Sequence, residues 1–308
     1  MLIRTLADLC ASVGLSQIDA GNLGRARVWL SMAAGLHPRK ARVLYDAACR
    51  AAAIGEGDEV AHYCEGALRA DPSFAEAHGL LRDTFLEGED YFYVLREIHQ
   101  LLRPRTYVEI GVARGASISL AAPETAALGV DPEPQIAGPL SPNTRIFSET
   151  SDAFFRRDVR AELGGRAVDL AFIDGMHHFD VALRDFVNLE RLCGPHSVIL
   201  IHDCFPHDRI TAERERRTEF WSGDVWRLIL LLKKYRPDLS IHTLATPPTG
   251  LGIVRRLDPS SDVLTRNMGR ATAEFMALDY GCLARGRAAK LNLVSNDADS
   301  LRRVLMPT

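Results

Sequence analysis

Short apolar runs recur along the second part of this chain, and most of them end in a glycine or an acidic residue. Runs of this length, bounded by turn residues, predict buried β-strands. The seven runs are PRTYVEIG (104–111), TAALGVD (125–131), NTRIFSE (143–149), AVDLAFID (167–174), HSVILIHD (196–203), LSIHTLAT (239–246) and GLGIVRRL (250–257).

The order of these runs predicts the kind of sheet. The first five alternate with helical stretches, which is typical of a parallel sheet with helices on both faces. The last two are joined by the turn sequence PPTG, which predicts a hairpin and hence an antiparallel strand. We therefore predict an α/β fold, a seven-stranded, doubly wound sheet, over residues 91–257.

The first part of the chain predicts an all-α domain over residues 1–90. Pro38 and Pro72 are separated by 34 residues, and the same offset relates three further pairs of positions. These pairs are Gly21 and Gly55, Trp29 and Tyr63, and Ala33 and Ala67. This period matches tetratricopeptide-like helical hairpins, and an unrelated α-hairpin bundle is the alternative. Residues 258–308 predict a C-terminal helical extension that serves as an appendage, a dimerisation element or a lid.

Composition narrows the possible partners. The net charge of −3 and the pI of about 6.4 do not indicate a nucleic-acid-binding or membrane-binding surface. The six cysteines are scattered without a CxxC pair, which fits a reducing compartment. We find no signal-peptide pattern and no apolar run long enough to span a bilayer. We therefore expect a cytoplasmic protein.

The turn after the first predicted strand indicates a ligand site. In VEIGVARGAS (108–117), Gly111 suits a tight turn and Gly115 suits the close approach of a helix. Asp131 ends the second predicted strand about 20 residues later, where an acid can accept hydrogen bonds from ribose hydroxyls. An ordinary βα turn followed by a polar turn is the alternative.

Two further acids follow the fourth and fifth predicted strands. Asp174 lies in FIDGMHHFD (172–180), and Asp203 lies 29 residues later. Because neighbouring parallel strands end at the same edge of a sheet, the two carboxylates should meet there. Paired carboxylates repel each other unless they are protonated, separated or bridged by a cation, and oxygen ligands favour Mg²⁺. The alternative is that Asp174 caps a helix and the histidines after it lie at the surface.

Taken together, these segments resemble a known family. EIGVARGAS, GVDP, DLAFIDGMHHFDVALRDF and VILIHDC are similar, in order and spacing, to class I S-adenosylmethionine (SAM)-dependent methyltransferases, especially the catechol-type and sugar or macrolide O-methyltransferases. The resemblance covers residues 91–257 and implies a Rossmann-like sheet. It implies methyl transfer from SAM to a hydroxyl of a sugar or a small polyhydroxylated metabolite.

The resemblance also implies roles for individual residues. The cofactor site would include Glu109, Gly111, Gly115, Ser117, Asp131 and Ser151, with Thr150 or Asp152 as alternatives to Ser151 beside the adenine. Asp174 and Asp203 would hold a divalent metal, most simply Mg²⁺, that makes the acceptor hydroxyl easier to deprotonate. His177 would be the catalytic base, and its intrinsic pKa suits that role.

One residue departs from the family pattern. The strand-five Asp is usually followed by an oxygen ligand, whereas here it is followed by Cys204, a poor Mg²⁺ ligand. The third ligand then comes from elsewhere, with His207 and Asp208 nearby in sequence, or the metal is softer, or no metal binds.

A final segment, EFWSGDVWRLILLLKKY (219–235), predicts a helix that begins beside Trp221 and Asp224. These two residues either bind the acceptor or serve as packing and a helix cap. Three other functions stay open. They are a metal-independent O- or N-methyltransferase, a helical-repeat protein with an inactive methyltransferase domain that binds a protein partner or itself, and a hydroxylase. The last is disfavoured because no clear 2-His-1-carboxylate spacing is present.

Overall fold

A computed structural model describes residues 2–217 and 221–306 of the chain. Glu219 and Phe220, at the start of the last predicted segment, lie outside the described residues. The chain divides into two compact units. The helical unit comprises residues 1–87, 207–209 and 280–288, and the α/β unit comprises residues 88–206, 210–279 and 289–308.

The helical unit is built from consecutive helices that pack in pairs. These are α1 (Leu2–Asp19), α2 (Leu23–Leu36), α3 (Lys40–Ala53), α4 (Gly57–Ala70) and α5 (Ala75–Phe85). Helix α1 packs on α2, and α3 packs on α4. Their shared core is rich in alanine, and Ala26, Ala47 and Ala67 are completely buried. Small side chains at these positions let the helix backbones approach closely.

Positions 34 residues apart have equivalent roles in the first two helix pairs. Gly21 ends the turn after α1 with φ +72°, and Gly55 ends the turn after α3 with φ +77°. Both conformations favour glycine because a Cβ would be strained there. The side chains at Trp29 and Tyr63 are not equivalent, since Trp29 is 36% exposed and Tyr63 is 1% exposed. The repetition therefore lies in the backbone and the small core residues.

The α/β unit contains the sheet and the helices around it. Its strands are β1 (Thr106–Ile110), β2 (Ala126–Val130), β3 (Thr144–Phe147), β4 (Val168–Ile173), β5 (Cys193–Ile201), β6 (Ser240–Leu244), β7 (Leu251–Arg255) and β8 (Leu293–Val294). Its helices are α6 (Tyr91–Leu102), α7 (Ser151–Phe154), α8 (Val159–Glu162), α9 (Phe179–Glu190), α10 (Trp226–Tyr235), α11 (Val263–Met276) and α13 (Ala298–Leu305), while α12 (Arg287–Lys290) spans the boundary at residue 288. No helix within the described residues is long and apolar enough to cross a membrane.

The strand order is β3-β2-β1-β4-β5-β7-β6-β8. All seven predicted strands are present, and β7 is antiparallel to both of its neighbours, as the PPTG turn predicted. The predicted count is nevertheless wrong, because the sheet has eight strands. The eighth lies in the C-terminal segment that we predicted as helical, and it is only two residues long. A strand that short has no periodicity to detect.

The crossovers between the first strands contain less helix than predicted. Only a 3₁₀ helix (Ile118–Leu120) lies between β1 and β2, and residues 131–143, all of which are described, contain no helix. Prolines at 132, 134, 139 and 142 account for this, because each one removes a backbone donor and clashes with a preceding helical turn.

Strand register sets up the functional edge of the sheet. Ile110 at the end of β1 pairs with Val130 of β2 and with Ile173 of β4. Ile173 in turn pairs with Ile201 at the end of β5. Four strands therefore end level with one another, and the chain leaves β1 towards β2 on one side while β4 lies on the other. This is the switch point at which open α/β sheets bind ligands.

Candidate active site

A cavity of about 850 Å³ opens at this edge of the sheet. Its walls are the turns that follow β1, β2, β3, β4 and β5. The polar side chains and turn glycines that line it include Tyr91, Gly111, Ser117, Asp131, Ser151, Asp174, His177, Asp185 and His202. The cavity is large enough for a nucleoside-sized ligand together with a small second molecule.

Four of the six predicted cofactor residues line the cavity: Gly111, Ser117, Asp131 and Ser151. The Asp131 carboxylate accepts hydrogen bonds from the backbone N–H groups of Ala113 and Glu133, each at 2.8 Å. These bonds hold Asp131 in one orientation at the end of β2. Gly115 is not among the lining residues.

Gly111 joins the turn after β1 to the turn after β4. Its φ is +92°, and a Cβ on this residue would lie 2.1 Å from the Asp174 carbonyl oxygen. The Asp174 N–H donates to the Ile110 carbonyl at 2.8 Å, so the two turns are in direct contact. Only glycine allows this approach, which places the predicted cofactor turn beside Asp174.

Glu109 lies in the interior beside the cavity wall. It is completely buried, and its carboxylate accepts hydrogen bonds from the Tyr107 hydroxyl at 2.6 Å and from the Ser117 hydroxyl. Burial raises its pKa to about 8, although both hydrogen bonds oppose that change. The structure therefore places Glu109 behind Ser117, where it orients a residue that does line the cavity.

The two predicted metal ligands meet around a third side chain, His202. Its Nδ1 lies 3.0 Å from Asp174 Oδ1 and 3.4 Å from Asp203 Oδ2. The strand register explains this position, because pairing of Ile173 with Ile201 sets Asp174 level with His202 and Asp203 one residue further along. Asp203 has φ +59°, a strained conformation for a residue with a Cβ.

The charges of these three groups interact with one another. Burial alone would lower the pKa of His202, but the two carboxylates raise it well above its usual value. Burial would likewise raise the pKa of Asp203, but the His202 and His177 rings hold it below its usual value. These opposite shifts favour a positively charged His202 ring beside an ionised Asp203.

His177 lies on the other side of Asp203. Its Nδ1 is 3.0 Å from Asp203 Oδ2 and 3.2 Å from the Trp221 carbonyl oxygen, and its Nε2 is 3.8 Å from Asp174 Oδ1. The ring stacks on the Trp221 indole with the ring centres 5.1 Å apart. Acceptors around Nδ1 favour the tautomer that carries its proton there, which leaves Nε2 as the basic nitrogen.

The predicted acceptor-binding residues Trp221 and Asp224 do not line the cavity. Asp224 is completely buried, and its Oδ1 accepts from the Phe179 N–H at 2.6 Å, at the beginning of α9. Gly223 lies against the His177 backbone, and a Cβ there would lie 1.9 Å from the His177 carbonyl oxygen. The structure therefore places residues 221–224 as a support for the His177 turn.

Cys204 faces away from the acids. It is completely buried, its Sγ lies 3.2 Å from the Ile201 carbonyl oxygen, and a Cβ on Gly252 of β7 would lie 2.8 Å from that sulfur. Burial raises the pKa of this thiol above its usual value. Asp208, an alternative ligand, pairs with His78 at 3.0 Å within the helical unit.

Within the described residues, the groups that could hold an ion together are Asp174, His177 and Asp203. The two carboxylates are ligands of the kind that Mg²⁺ prefers, whereas the imidazole is not. The His202 ring also supplies positive charge to both carboxylates. An ion that bridged Asp174 and Asp203 would therefore compete with the His202 ring for their oxygens.

Comparison with known proteins identifies this part of the chain. Residues 108–204, from within β1 to the turn after β5, match the family model described as a methyltransferase domain. This segment of the α/β unit is similar to methyltransferase domains. The predicted relationship to methyltransferases is confirmed for this unit, and the matched span contains Gly111, Asp131, Asp174, His177 and Asp203.

Solved structures offer more distant likenesses to the methyltransferase domain and its surroundings. The O-methyltransferase TomG from Streptomyces achromogenes, in complex with SAM, is 14% identical with a TM-score of 0.42, over 55% of this chain and 80% of that one. An O-methyltransferase from Bacillus cereus, in complex with SAH, is 15% identical with a TM-score of 0.39, over 60% of this chain and 90% of that one. A comparison with curated proteins found no match.

Sequence reasoning assigned no role to three residues of the cavity wall: Tyr91, Asp185 and His202. Tyr91 stacks on His202 with ring centres 4.2 Å apart, and burial raises its pKa to about 12. His202 was visible as an ionisable residue next to Asp203. The burial of Asp185 could also have been predicted, because its helical spacing puts it on the same face of α9 as Ala182 and Leu189, both of which are buried.

Proposed function

We propose that this protein transfers a methyl group from SAM to a hydroxyl of a small polyhydroxylated metabolite, with His177 as the general base. A sugar is the acceptor class that the sequence resemblance favours. The observation that carries the proposal is the Asp203–His177 pair at 3.0 Å on the wall of a cavity within a methyltransferase domain. An oriented histidine of this kind is suited to remove a proton from a hydroxyl.

The cofactor would lie along the ends of β1 and β2. Asp131 would accept hydrogen bonds from the ribose hydroxyls, since it lines the cavity and is held by two backbone donors. The turn at Gly111 and the Ser117 hydroxyl would contact the methionine part. Glu109 would act indirectly by orienting Ser117.

The proposed reaction is a direct displacement. The acceptor oxygen attacks the methyl carbon, the carbon–sulfur bond breaks, and the sulfonium becomes the neutral thioether of S-adenosylhomocysteine (SAH). The hydroxyl proton passes to His177 Nε2, and Asp203 stabilises the imidazolium that forms. A positioned base of this kind typically contributes about 10²–10⁴-fold to a rate, and alignment of the two reacting atoms contributes further.

We propose that this reaction proceeds without a divalent metal. The position of His202 between Asp174 and Asp203 supports this version, because a protonated ring there already balances the two carboxylates. The metal-assisted version stays a prediction, supported by the grouping of Asp174, His177 and Asp203. The two versions differ in their response to a chelator.

The helical unit would bind a protein partner or a second copy of the chain. Equivalent turns at Gly21 and Gly55 support tetratricopeptide-like repeats. Helices α1 and α2 expose large apolar side chains, including Leu6, Leu9 and Val28, of the kind that protein interfaces cover. Light scattering at several concentrations would separate self-association from binding of a different partner.

Six cysteines without disulfides support a reducing, cytoplasmic environment.

Two measurements test the enzymatic proposal. Calorimetry with SAM and SAH should detect binding, and labelled SAM should transfer its methyl group to members of a panel of sugars and polyols. His177→Gln should reduce turnover by about 10²–10⁴-fold while leaving SAH affinity unchanged. Absence of SAM and SAH binding would refute the enzyme and favour an interaction protein with an inactive domain. A fully active His177→Gln variant would refute the assignment of the base alone.

A further inference from the structure

A second cavity, of about 390 Å³, lies within the helical unit and has a wall rich in basic side chains. It is formed by residues of α2, α3 and α4, and these include Arg27, Lys40, His62 and Arg69. Among the described residues, no aspartate or glutamate lines it. Its volume lies within the range of small-molecule sites in proteins. Neither the proposed methyl transfer nor the helical repeat accounts for this concentration of positive charge.

The charges around this cavity do not cancel. Arg27 is paired, because its Nη2 donates to Glu59 Oε1 at 2.6 Å and its Nε donates to Glu59 Oε2 at 3.0 Å. Lys40 and Arg69 make no ion pair within the described part of the chain, and both are exposed to solvent. Three cations set against one carboxylate leave two positive charges at the wall.

Two further observations indicate a positive potential at this cavity. Burial lowers the pKa of the His62 ring, and the charges of Arg27 and Arg69 lower it further, while Glu59 opposes them. In addition, residues 23–44 contain five arginines and lysines and no aspartate or glutamate. The overall charge of −3 therefore hides a locally basic surface. Lys40 is also the first residue of α3, whose N-terminal turn has no side-chain cap and so adds partial positive charge.

We propose that this cavity binds a phosphate group, either as free phosphate or as the phosphate monoester of a small molecule. A phosphate monoester carries about 1.5–2 negative charges at neutral pH, which matches the two unpaired cations, whereas a carboxylate carries one. The Lys40 ammonium and the Arg69 guanidinium are both suited to donate charge-assisted hydrogen bonds to phosphate oxygens. The Ser31 hydroxyl, which also lines the cavity, can donate one more. This inference is independent of the proposed methyl transfer.

Calorimetry on the full chain at low salt tests the proposal, with inorganic phosphate, glucose 6-phosphate and glucuronate as ligands. We expect both phosphates to bind at least about tenfold more tightly than glucuronate, because the dianion engages both unpaired cations. Affinity should fall as the NaCl concentration rises, since both cations are exposed to solvent. Tighter binding of glucose 6-phosphate than of inorganic phosphate would identify an ester as the ligand, and equal binding would identify free phosphate. Absence of phosphate binding, or a preference over glucuronate below about tenfold, would overturn the proposal.

Variants test whether the phosphate binds in this cavity. Lys40→Gln and Arg69→Gln should each weaken phosphate binding by about tenfold or more, whereas Lys40→Arg should keep it within about threefold because the charge remains. Arg25→Gln is the matched control, since it removes one positive charge from an exposed position on α2 that does not line the cavity. It should change the affinity by less than about threefold.

The melting temperature of these variants should stay unchanged, because the substituted side chains are all exposed, and this checks that each variant folds. Undiminished binding in Lys40→Gln and Arg69→Gln, or an equal loss in Arg25→Gln, would overturn the assignment of this cavity. The proposed methyl transfer uses none of these residues, so its own test is unaffected by either result.

Discussion

Gly223 supports the His177 turn, so a side chain at this position should displace His177. Gly223 has φ +62°, and a Cβ there would lie 1.9 Å from the His177 carbonyl oxygen and 2.7 Å from the His177 Cβ. Gly164 has almost the same φ, +64°, with nothing within 4 Å of its Cβ position. Comparison of alanine at the two sites therefore separates backbone strain from displacement of His177.

The expected magnitudes differ between the two variants. A non-glycine residue in the left-handed region costs about 1 kcal/mol, which is the whole effect at Gly164→Ala. Gly223→Ala adds an overlap that costs about 1–3 kcal/mol more, because His177 must move by more than 1 Å to restore a normal contact. Displacement of a catalytic group by about 1 Å typically costs about 10²-fold in rate.

Thermal unfolding and turnover measured on the same samples test these values. The melting temperature should fall by about 2–4 °C for Gly164→Ala and by roughly two to four times as much for Gly223→Ala. Only Gly223→Ala should lose turnover, and its SAH affinity should stay normal. Equal melting shifts together with normal turnover for Gly223→Ala would refute the role of residues 221–224 as the support of His177.

Three further predictions concern the cavity. Because burial raises the pKa of Glu109 to about 8, far above its unfolded value, stability should fall as the pH rises from about 4.5 to 8. Glu109→Gln should flatten that part of the curve, and an unchanged curve would contradict the assignment. Asp131→Ala should weaken SAM binding by about 10–100-fold in calorimetry through the loss of charged hydrogen bonds, whereas unchanged affinity would remove Asp131 from the cofactor site. Turnover should persist in excess EDTA, and loss of activity that Mg²⁺ restores would favour the metal-assisted version.

Much of the fold could be predicted from the sequence, because buried parallel strands need apolar runs and the turns after them need glycines or acids. The runs ending at Ile110, Val130, Ile173 and Ile201 carried that signal clearly. Strand β8 and the helix-poor crossovers could not be predicted in this way. A two-residue strand has no detectable periodicity. The proline-rich connection between β2 and β3 prevents the helix that the alternation of strands and helices would predict there.

The candidate site was only partly predictable for a similar reason. Asp174 and Asp203 both follow strands, so the sequence indicated that they approach each other. It did not indicate that His202 contacts both carboxylates. That contact depends on the pairing of Ile173 with Ile201, which sets Asp174 level with His202. It also did not indicate that Cys204 faces β7 and that Asp224 supports α9.

The amino-acid sequence by itself therefore determined the methyltransferase sheet and the set of ionisable residues at its functional edge. These follow from local patterns of apolar and turn residues. Only the tertiary structure decided how that set divides into a buried carboxylate–histidine cluster and an oriented His177. These roles depend on which side chains lie within about 3 Å of one another, a consequence of strand register and helix packing that no single segment of the chain contains.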